Sequence, residues 1–229
     1  MILSKRLMAV AALTAPYERI ADIGSDHAYL PVYLVSARQV TVAIAGEVKE
    51  GPLNAARKNI QSAGLTDRIA ARLGNGLQVV KPGEVEVAAV AGMGGQAISD
   101  ILAKSPEVTA SLKRIVCQPM NGSARLRDWL ARHGWRLVAE DLVLEDGRIY
   151  EVIAADPGKM DSIDPLMLEI GPLLWQQRHP LLREHLGNLV KKFELQEQAM
   201  AKSDRSAVLA RRILCQDKIR KLEDLMRCL

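Results

Sequence analysis

Ala21-Asp22-Ile23-Gly24-Ser25-Asp26-His27-Ala28-Tyr29-Leu30-Pro31 decides how this chain is read. The short run from Arg19 to Ala21 leads into an acid and a glycine, and polar side chains then crowd a turn. A β-strand that ends at a small-molecule site has this form. Glycine lets the backbone approach a ligand closely, and the acid receives a hydroxyl or ammonium group. An ordinary strand-to-helix turn with Asp26 as a helix cap fits the same residues. The neighbouring segments have to decide between them.

Upstream, Ser4 is expected to cap a helix through about Leu13, and Pro16 to end it. Pro31 is expected to open the helix after the first strand, Arg19–Asp22, because its missing N–H costs nothing there. A second buried strand, Val40–Ala45, ends at Gly46-Glu47, and a helix over about Pro52–Ala63 is closed by Gly64. A third, Ile69–Leu73, ends at Gly74-Asn75-Gly76. A fourth, Glu86–Ala91, ends at Gly92-Met93-Gly94-Gly95, before a helix over Gln96–Ala103. Arg114–Gln118 reads as a fifth strand broken by Pro119, and 123–133 as a helix. Trp135–Leu144 and Ile149–Ala155 form a hairpin around Asp146-Gly147. This alternation predicts an α/β, Rossmann-like, doubly wound sheet of seven strands with the last antiparallel.

The pattern changes after Asp156-Pro157-Gly158, which reads as a linker, so the expected domains are 1–157 and 158–229. One apolar stripe runs through Leu181, Leu182, His185, Leu186, Leu189, Val190 and Phe193. A second runs through Val208, Ile213, Leu214, Ile219, Leu222, Leu225 and Met226, with a turn expected over 202–206. Two helices of about 20 residues each, folded back as a coiled-coil-like α-helical hairpin, would bury both stripes.

The composition suits a globular chain with a sizeable core: 48% of the 229 residues are hydrophobic and 25% charged. A net charge of +4 permits a polyanionic partner without demanding one, and 3% aromatic content argues against a base-stacking platform. Cys117, Cys215 and Cys228 make no CxxC pair, so neither a metal site nor a disulfide framework is expected, and a cytoplasmic setting is. Lys5-Arg6 before an apolar run resembles a leader, but the run has only seven residues, so an amphipathic first helix is the better reading. Nothing approaches the roughly 20 apolar residues of a membrane span.

Asp22 with Gly24, Glu47, Asn75 and Gly92–Gly95 thus stand at four strand ends, where doubly wound sheets bind ligands. Glu47 lies where an acid holds the ribose hydroxyls of an adenosine-bearing cofactor. A nicotinamide dinucleotide needs G-x-G-x-x-G so that its pyrophosphate can pack on backbone. Ser25, Asp26 and His27 stand there instead, and acids would repel a pyrophosphate. S-adenosylmethionine has no phosphate and carries a sulfonium and an ammonium, which acids attract. Asn75 would then accept from the adenine amine, with Gly74 and Gly76 admitting the ring edge.

Leu3-Ser4-x-Arg6-Leu7, the stretch 21–31, Gly51-Pro52-Leu53, Gly76-Leu77, Ala91-Gly92-Met93-Gly94-Gly95, Gln118-Pro119 and Tyr150-Glu151 together resemble the TrmK family. Those are bacterial tRNA methyltransferases that modify N1 of the adenine at tRNA position 22. The resemblance covers the first 155 residues in order. It implies a class I methyltransferase domain with a C-terminal coiled-coil-like helical domain that aids tRNA binding. It puts the methionine end of the cofactor by Asp22, Gly24 and His27 and the ribose on Glu47, with Ser25, Tyr29 and Val48 also expected to bind the cofactor. The adenine falls beside Asn75 and Gly76, and the transfer site by Gly92, Met93, Gly94 and Gly95. The family usually carries Asp where this chain has Asn75, which keeps the acceptor and drops the charge.

N1 of adenine already has a lone pair, so no strong base is needed. The demand is in-line approach and stabilisation of the positive charge that grows on the base. Asp26 is the first catalytic candidate, accepting from the exocyclic amine, and His27 the second. Tyr29 either packs on cofactor or base or belongs to the core. Gly94-Gly95 either leaves room for a flipped base or only opens the next helix. The N-P-P-Y string of exocyclic-amine methylating enzymes is absent. tRNA phosphates would meet Lys5, Arg6, Arg57, Lys58, Arg125 and Arg127 in front and Lys191, Lys192, Arg211 and Arg212 in the tail. A monomer is the expected state.

Overall fold

The computed structural model describes residues 3–201 and 205–229. Helix α1 (Lys5–Thr14) opens the fold with the Ser4 hydroxyl accepting the Leu7 N–H, and it buries Ala9, Val10 and Ala11. Five parallel strands follow: β1 (Arg19–Ile23), β2 (Val42–Glu47), β3 (Ile69–Leu73), β4 (Val87–Gly94) and β5 (Arg114–Asn121). Their connections carry α2 (Tyr29–Ser36), α3 (Glu50–Ser62), α4 (Gly95–Ala103) and the short α5 (Pro106–Ser111). After α6 (Ser123–Arg132), the hairpin of β6 (Trp135–Glu145) and β7 (Arg148–Pro157) completes a seven-stranded sheet, order β3-β2-β1-β4-β5-β7-β6. β7 is antiparallel to both its neighbours, as the alternation predicted.

The central strands are buried on both faces, which is why they read as continuous apolar runs. From β1 the chain winds out through β2 to β3, then returns to β4 on the other side. The switch point therefore lies between the carboxyl ends of β1 and β4, with Asp22 level with Ala45 and Ala89.

Some boundaries differ from the sequence reading. α2 begins at Tyr29, and Pro31 sits in its first turn, where the backbone N–H groups have no intrahelical acceptor in any case. Pro119 does not end β5. It pairs with Met93 where the β4 ladder is already shifted, so a residue without an N–H is tolerated there. Nor are residues 156–158 a free linker. Asp156 and Pro157 belong to β7, Asp156 takes two bonds from Arg114 at 2.7 and 2.9 Å, and the Gly158 N–H reaches Gly134 O.

The chain divides into two compact units, the first reaching Ser162 and the second starting at Ile163. The second holds α7 (Pro165–Ile170), α8 (Pro172–Gln176), α9 (Leu182–Met200) and α10 (Ser206–Arg227). α9 and α10 form an antiparallel hairpin: Arg183 bonds Met226 O at one end, and Glu197 pairs with Arg212 towards the other. The first stripe buries Leu182, His185, Leu186, Leu189 and Phe193. The second is displaced from its expected line. Cys215 and Leu222, two turns apart, carry the contact, while Ile213 and Leu214 are 64% and 63% exposed. Of the turn expected over 202–206, residues 202–204 lie outside the described residues, and Ser206 already belongs to α10. Among the described residues no helix is long and apolar enough to cross a membrane.

Candidate functional site

The residues at the strand ends line up along one edge of the sheet. Asn75 follows β3, Glu47 ends β2, Asp22 lies near the end of β1, and Gly92–Gly94 end β4. Backbone bonds tie neighbouring ends together: Gly24 and Ser25 donate to Gly46 O at 2.9 and 3.1 Å, and Gly74 donates to Glu47 O at 2.8 Å.

The turn after β1 is the most constrained part of this edge. Asp26, His27 and Ala28 all have positive φ, at 25°, 62° and 55°. Side chains from elsewhere hold that run. Glu47 Oε1 accepts the Asp26 N–H at 3.1 Å, its Oε2 accepts the Val48 N–H at 3.0 Å, and Asn59 Nδ2 on α3 donates to His27 O at 2.8 Å. The Ser25 hydroxyl donates to Asp22 Oδ2 at 2.6 Å. Burial pushes the Asp22 carboxyl up to about 6; the Ser25 bond lowers it and the nearby Glu47 charge raises it.

Across the switch point, β4 leaves its ladder at Gly92, whose φ is +76° and whose N–H donates to the buried Gln118 Oε1 at 3.0 Å. Between the two turns opens a cavity of about 780 Å³, walled by Asp22, Gly24, Ser25, Asp26 and Tyr29 on one side. Arg6, Leu7, Gly92 and Met120 are among its other walls.

Of the residues expected at the site, Asp22, Gly24, Ser25, Asp26, Tyr29 and Gly92 thus wall one cavity. Tyr29 is not core: it is 40% exposed, with its ring stacked 5.2 Å from that of His27. His27 Nε2 lies 3.4 Å from the Asp26 carboxylate, whose side chain is 71% exposed. Glu47, Val48, Asn75 and Gly76 lie further along the same edge, outside that cavity. Met93 reaches back over Gly24, where a Cβ would meet its Cε at 2.3 Å. Gly94 and Gly95 are not among the cavity walls: Gly94 faces the Asn121 side chain, where a Cβ would lie 3.1 Å from Oδ1, and Gly95 faces backbone. A Cβ on Gly95 would lie 2.5 Å from Gly122 O, and the pair opens α4, with Gly94 at its N-cap.

Sequence reasoning missed Asn59 and Gln118, since nothing local marks a side chain that bonds a distant backbone. It also misplaced Arg127, expected to meet phosphates. Arg127 is fully buried, bonded to Glu140 and Glu151 at 2.6 Å each, and a guanidinium there is sealed from any polyanion.

The charge at the crevice suits a cationic ligand. Asp22 and Glu47 are buried carboxylates, and among the described residues no Lys, Arg or His lies within ion-pair distance of either. A buried acid whose proton is held up to about 6 gains by meeting a cation. A buried carboxylate of this kind suits an ammonium group, while the Met93 methyl covers the Cα of Gly24.

Sheet order, antiparallel seventh strand and acidic crevice at the switch point define a methyltransferase domain, and a family model described as a methyltransferase domain matches residues 3–153. The tRNA (adenine(22)-N(1))-methyltransferase of Bacillus subtilis (strain 168) is 39% identical over 173 residues, 75% of this chain and 73% of that protein. The chain belongs to the TrmK family of tRNA (adenine(22)-N(1))-methyltransferases. The crystal structure of the B. subtilis m1A22 tRNA methyltransferase TrmK is 31% identical, with a TM-score of 0.89 over 98% of this chain and 99% of that one. Streptococcus pneumoniae Sp1610, solved in complex with S-adenosyl-L-methionine, is 35% identical, with a TM-score of 0.87 over 98% and 100%.

Proposed function

We propose that the protein transfers a methyl group from S-adenosylmethionine to N1 of the adenine at position 22 of tRNA. The observation that carries this is the crevice between the turns after β1 and β4, where the buried Asp22, with no ion-pair partner among the described residues, shares a cavity with the exposed carboxylate of Asp26. Bound there, S-adenosylmethionine supplies an electrophilic methyl group. Asp22, with Gly24 and Ser25 beside it, holds the ammonium end. Glu47 and Val48 receive the ribose, and Asn75 and Gly76 the adenine of the cofactor.

Asp26 faces the substrate base. Its carboxylate accepts from the exocyclic amine and stabilises the positive charge that N1 methylation leaves on the ring. The stacked His27–Tyr29 pair, partly exposed beside the cavity, forms a flat wall against which a base can lie. The helical unit serves as a second hold on the tRNA through its basic residues. Lys192 and Arg212 are engaged with Glu169 and Glu197, which leaves Lys191 and Arg211 as the better candidates there. A tRNA substrate and three free cysteines suit a reducing, cytoplasmic setting, and the working state we propose is a monomer.

The test is incubation with S-adenosylmethionine and an unmodified tRNA transcript, followed by nucleoside analysis. 1-Methyladenosine is expected, and it should vanish when the transcript carries guanine at position 22. Methylation at another position, or none across several tRNAs bearing the adenine, sinks the reading. Asp26→Ala should lower kcat by about 100-fold or more with cofactor affinity within about threefold of the parent. Equal loss of both would refute its role. Deleting residues 160–229 should weaken tRNA binding far more than cofactor binding; an unchanged tRNA affinity would make the helical unit merely structural.

A further inference from the structure

Three of the segments that carry the family resemblance, Leu3–Leu7, Gln118-Pro119 and Tyr150-Glu151, have no part in the cofactor or base contacts above. The fold brings them together behind Gly92. Arg6 Nη1 donates to Gln118 Oε1 at 2.7 Å, and that same oxygen accepts the Gly92 N–H at 3.0 Å. The rest of the Gln118 amide is anchored, with Nε2 donating to Pro119 O at 3.1 Å. Arg6 is held in turn: its guanidinium carbon lies 5.4 Å from the centre of the Tyr150 ring, and its Nε 3.8 Å from Glu145 Oε2.

We propose that Arg6 is a positioning residue for methyl transfer, acting through Gln118 to fix the backbone of Gly92. This rests on the function proposed above. The need for such a device lies in the strand. Pairing between β4 and β5 is shifted between Ala91 and Met93, so the Gly92 N–H has a side-chain acceptor instead of a place in the ladder. Gly92 also has φ +76° with no Cβ to limit it, and a Cβ there would meet Arg6 Nη1 at 3.4 Å. Its conformation is therefore set from outside, by one amide oxygen, and that oxygen is set by a charge-assisted bond from Arg6.

Gly92 walls the cavity opposite Gly24 and Asp26, so a loose Gly92 widens the space in which donor and base must align. In-line transfer is sensitive to such errors, and a misplacement of about 1 Å can lower the rate by about 100-fold. The charge of Arg6 explains why it acts indirectly. A free cation at this wall would oppose the positive charge growing on the base. Arg6 itself borders the cavity, but Glu145 and the face of Tyr150 engage its guanidinium and its Nη1 is committed to Gln118, so its charge is partly offset where it stands.

The test compares the full chain with Arg6→Gln, Gln118→Met and the double variant, using unmodified tRNA and S-adenosylmethionine. Each single change should lower kcat about tenfold or more, with tRNA KM and cofactor Kd within about threefold. The double variant should be no slower than the slower single by more than about twofold, because both changes break one chain of contacts. Arg6→Lys keeps a cationic donor within reach of Gln118 Oε1 and should retain more of kcat than Arg6→Gln; both leave the buried Gln118 in place, which covers the case in which Gln118→Met fails to fold.

Hydrogen exchange at the Gly92 amide gives a readout that needs no activity, and it should quicken about tenfold in Arg6→Gln. Additive losses in kcat, unchanged Gly92 exchange, or a loss confined to tRNA KM with a shallower salt dependence would each overturn the proposal; the last would make Arg6 a phosphate contact. A parent protein that makes no 1-methyladenosine would instead overturn the proposed substrate, and the Gly92 exchange would still decide the role of Arg6.

Discussion

The turn after β1 and the turn after β4 face one another across the switch point, and they reach irregular backbone by opposite routes. The first keeps side chains where glycine would be easier: Asp26, His27 and Ala28 carry φ values of 25°, 62° and 55°. Each such residue costs about 1 kcal/mol, which Glu47 and Asn59 offset by bonding the Asp26 N–H and the His27 carbonyl. The second gives side chains up. Gly92 takes the positive φ, and Gly95 packs so closely on Gly122 that a Cβ would lie 2.5 Å from its carbonyl oxygen. A turn that must present a carboxylate and an imidazole accepts strain to keep them. A turn that need only bring backbone close uses glycine where the approach is tightest, and keeps Met93 between.

The largest effect on stability should come from breaking the second route. Gly95→Ala sets a methyl against the Gly122 backbone, which cannot swing aside as a flexible side chain would. A loss of about 3 kcal/mol is expected, read as a Tm fall of roughly 6–12 °C for a chain of this size. An unchanged Tm would show that the turn after β4 is looser than its contacts imply.

The next test concerns the charge beneath the first turn. The Asp22 carboxyl is raised from 3.8 to about 6, first by burial, so the folded state holds its proton more tightly than the unfolded chain does. The stability this contributes is full below about pH 3.8 and is lost as pH rises through about 6. At pH 8 the free protein therefore carries an ionised acid that its own fold disfavours. Asp22→Asn should stabilise the free protein by about 1–2 kcal/mol at pH 8, allowing for a weaker bond from Ser25, with the gain gone near pH 4. The same variant should bind S-adenosylmethionine about 30-fold more weakly, and parent affinity should fall as pH drops through about 6. Calorimetric titration and thermal unfolding across that range check both. A variant less stable than the parent at pH 8 would mean that Asp22 stabilises the fold rather than serving a ligand.

The two turns also differ in how far they were legible. Strand ends were readable because glycines punctuate them: Ile69–Leu73 was placed to the residue, and Asp22 and Glu47 were found at the ends of their strands. The left-handed run over Asp26–Ala28 was not, because three non-glycine residues give no local sign of positive φ. Pro119 misled because its tolerance depends on a shift in the partner strand. Arg127 misled because its acceptors, Glu140 and Glu151, arrive only when β6 and β7 fold over α6. Arg6 and Gln118 meet across 112 residues of chain, which periodicity within a window cannot see. The α10 stripe failed more narrowly, since an interface of Cys215 and Leu222 turns Ile213 and Leu214 outward.

The smallest effect isolates the strain itself. Ala28→Gly removes a buried methyl worth about 0.8 kcal/mol and adds unfolded-state freedom worth about 0.5–1 kcal/mol. Against these stands relief of a left-handed alanine at φ 55° and ψ 31°, about 1–2 kcal/mol. The sum should lie within about 0.5 kcal/mol of zero. Ala56 is the matched control: it is equally buried but lies in the interior of α3, where glycine brings the same losses with no strain to relieve. Ala56→Gly should therefore cost about 1.5–2 kcal/mol in denaturant unfolding. The gap between the two variants measures what the first turn stores at one residue. Equal losses at both positions would mean that its left-handed backbone is held without strain, and the contrast between the turns would reduce to side-chain chemistry alone.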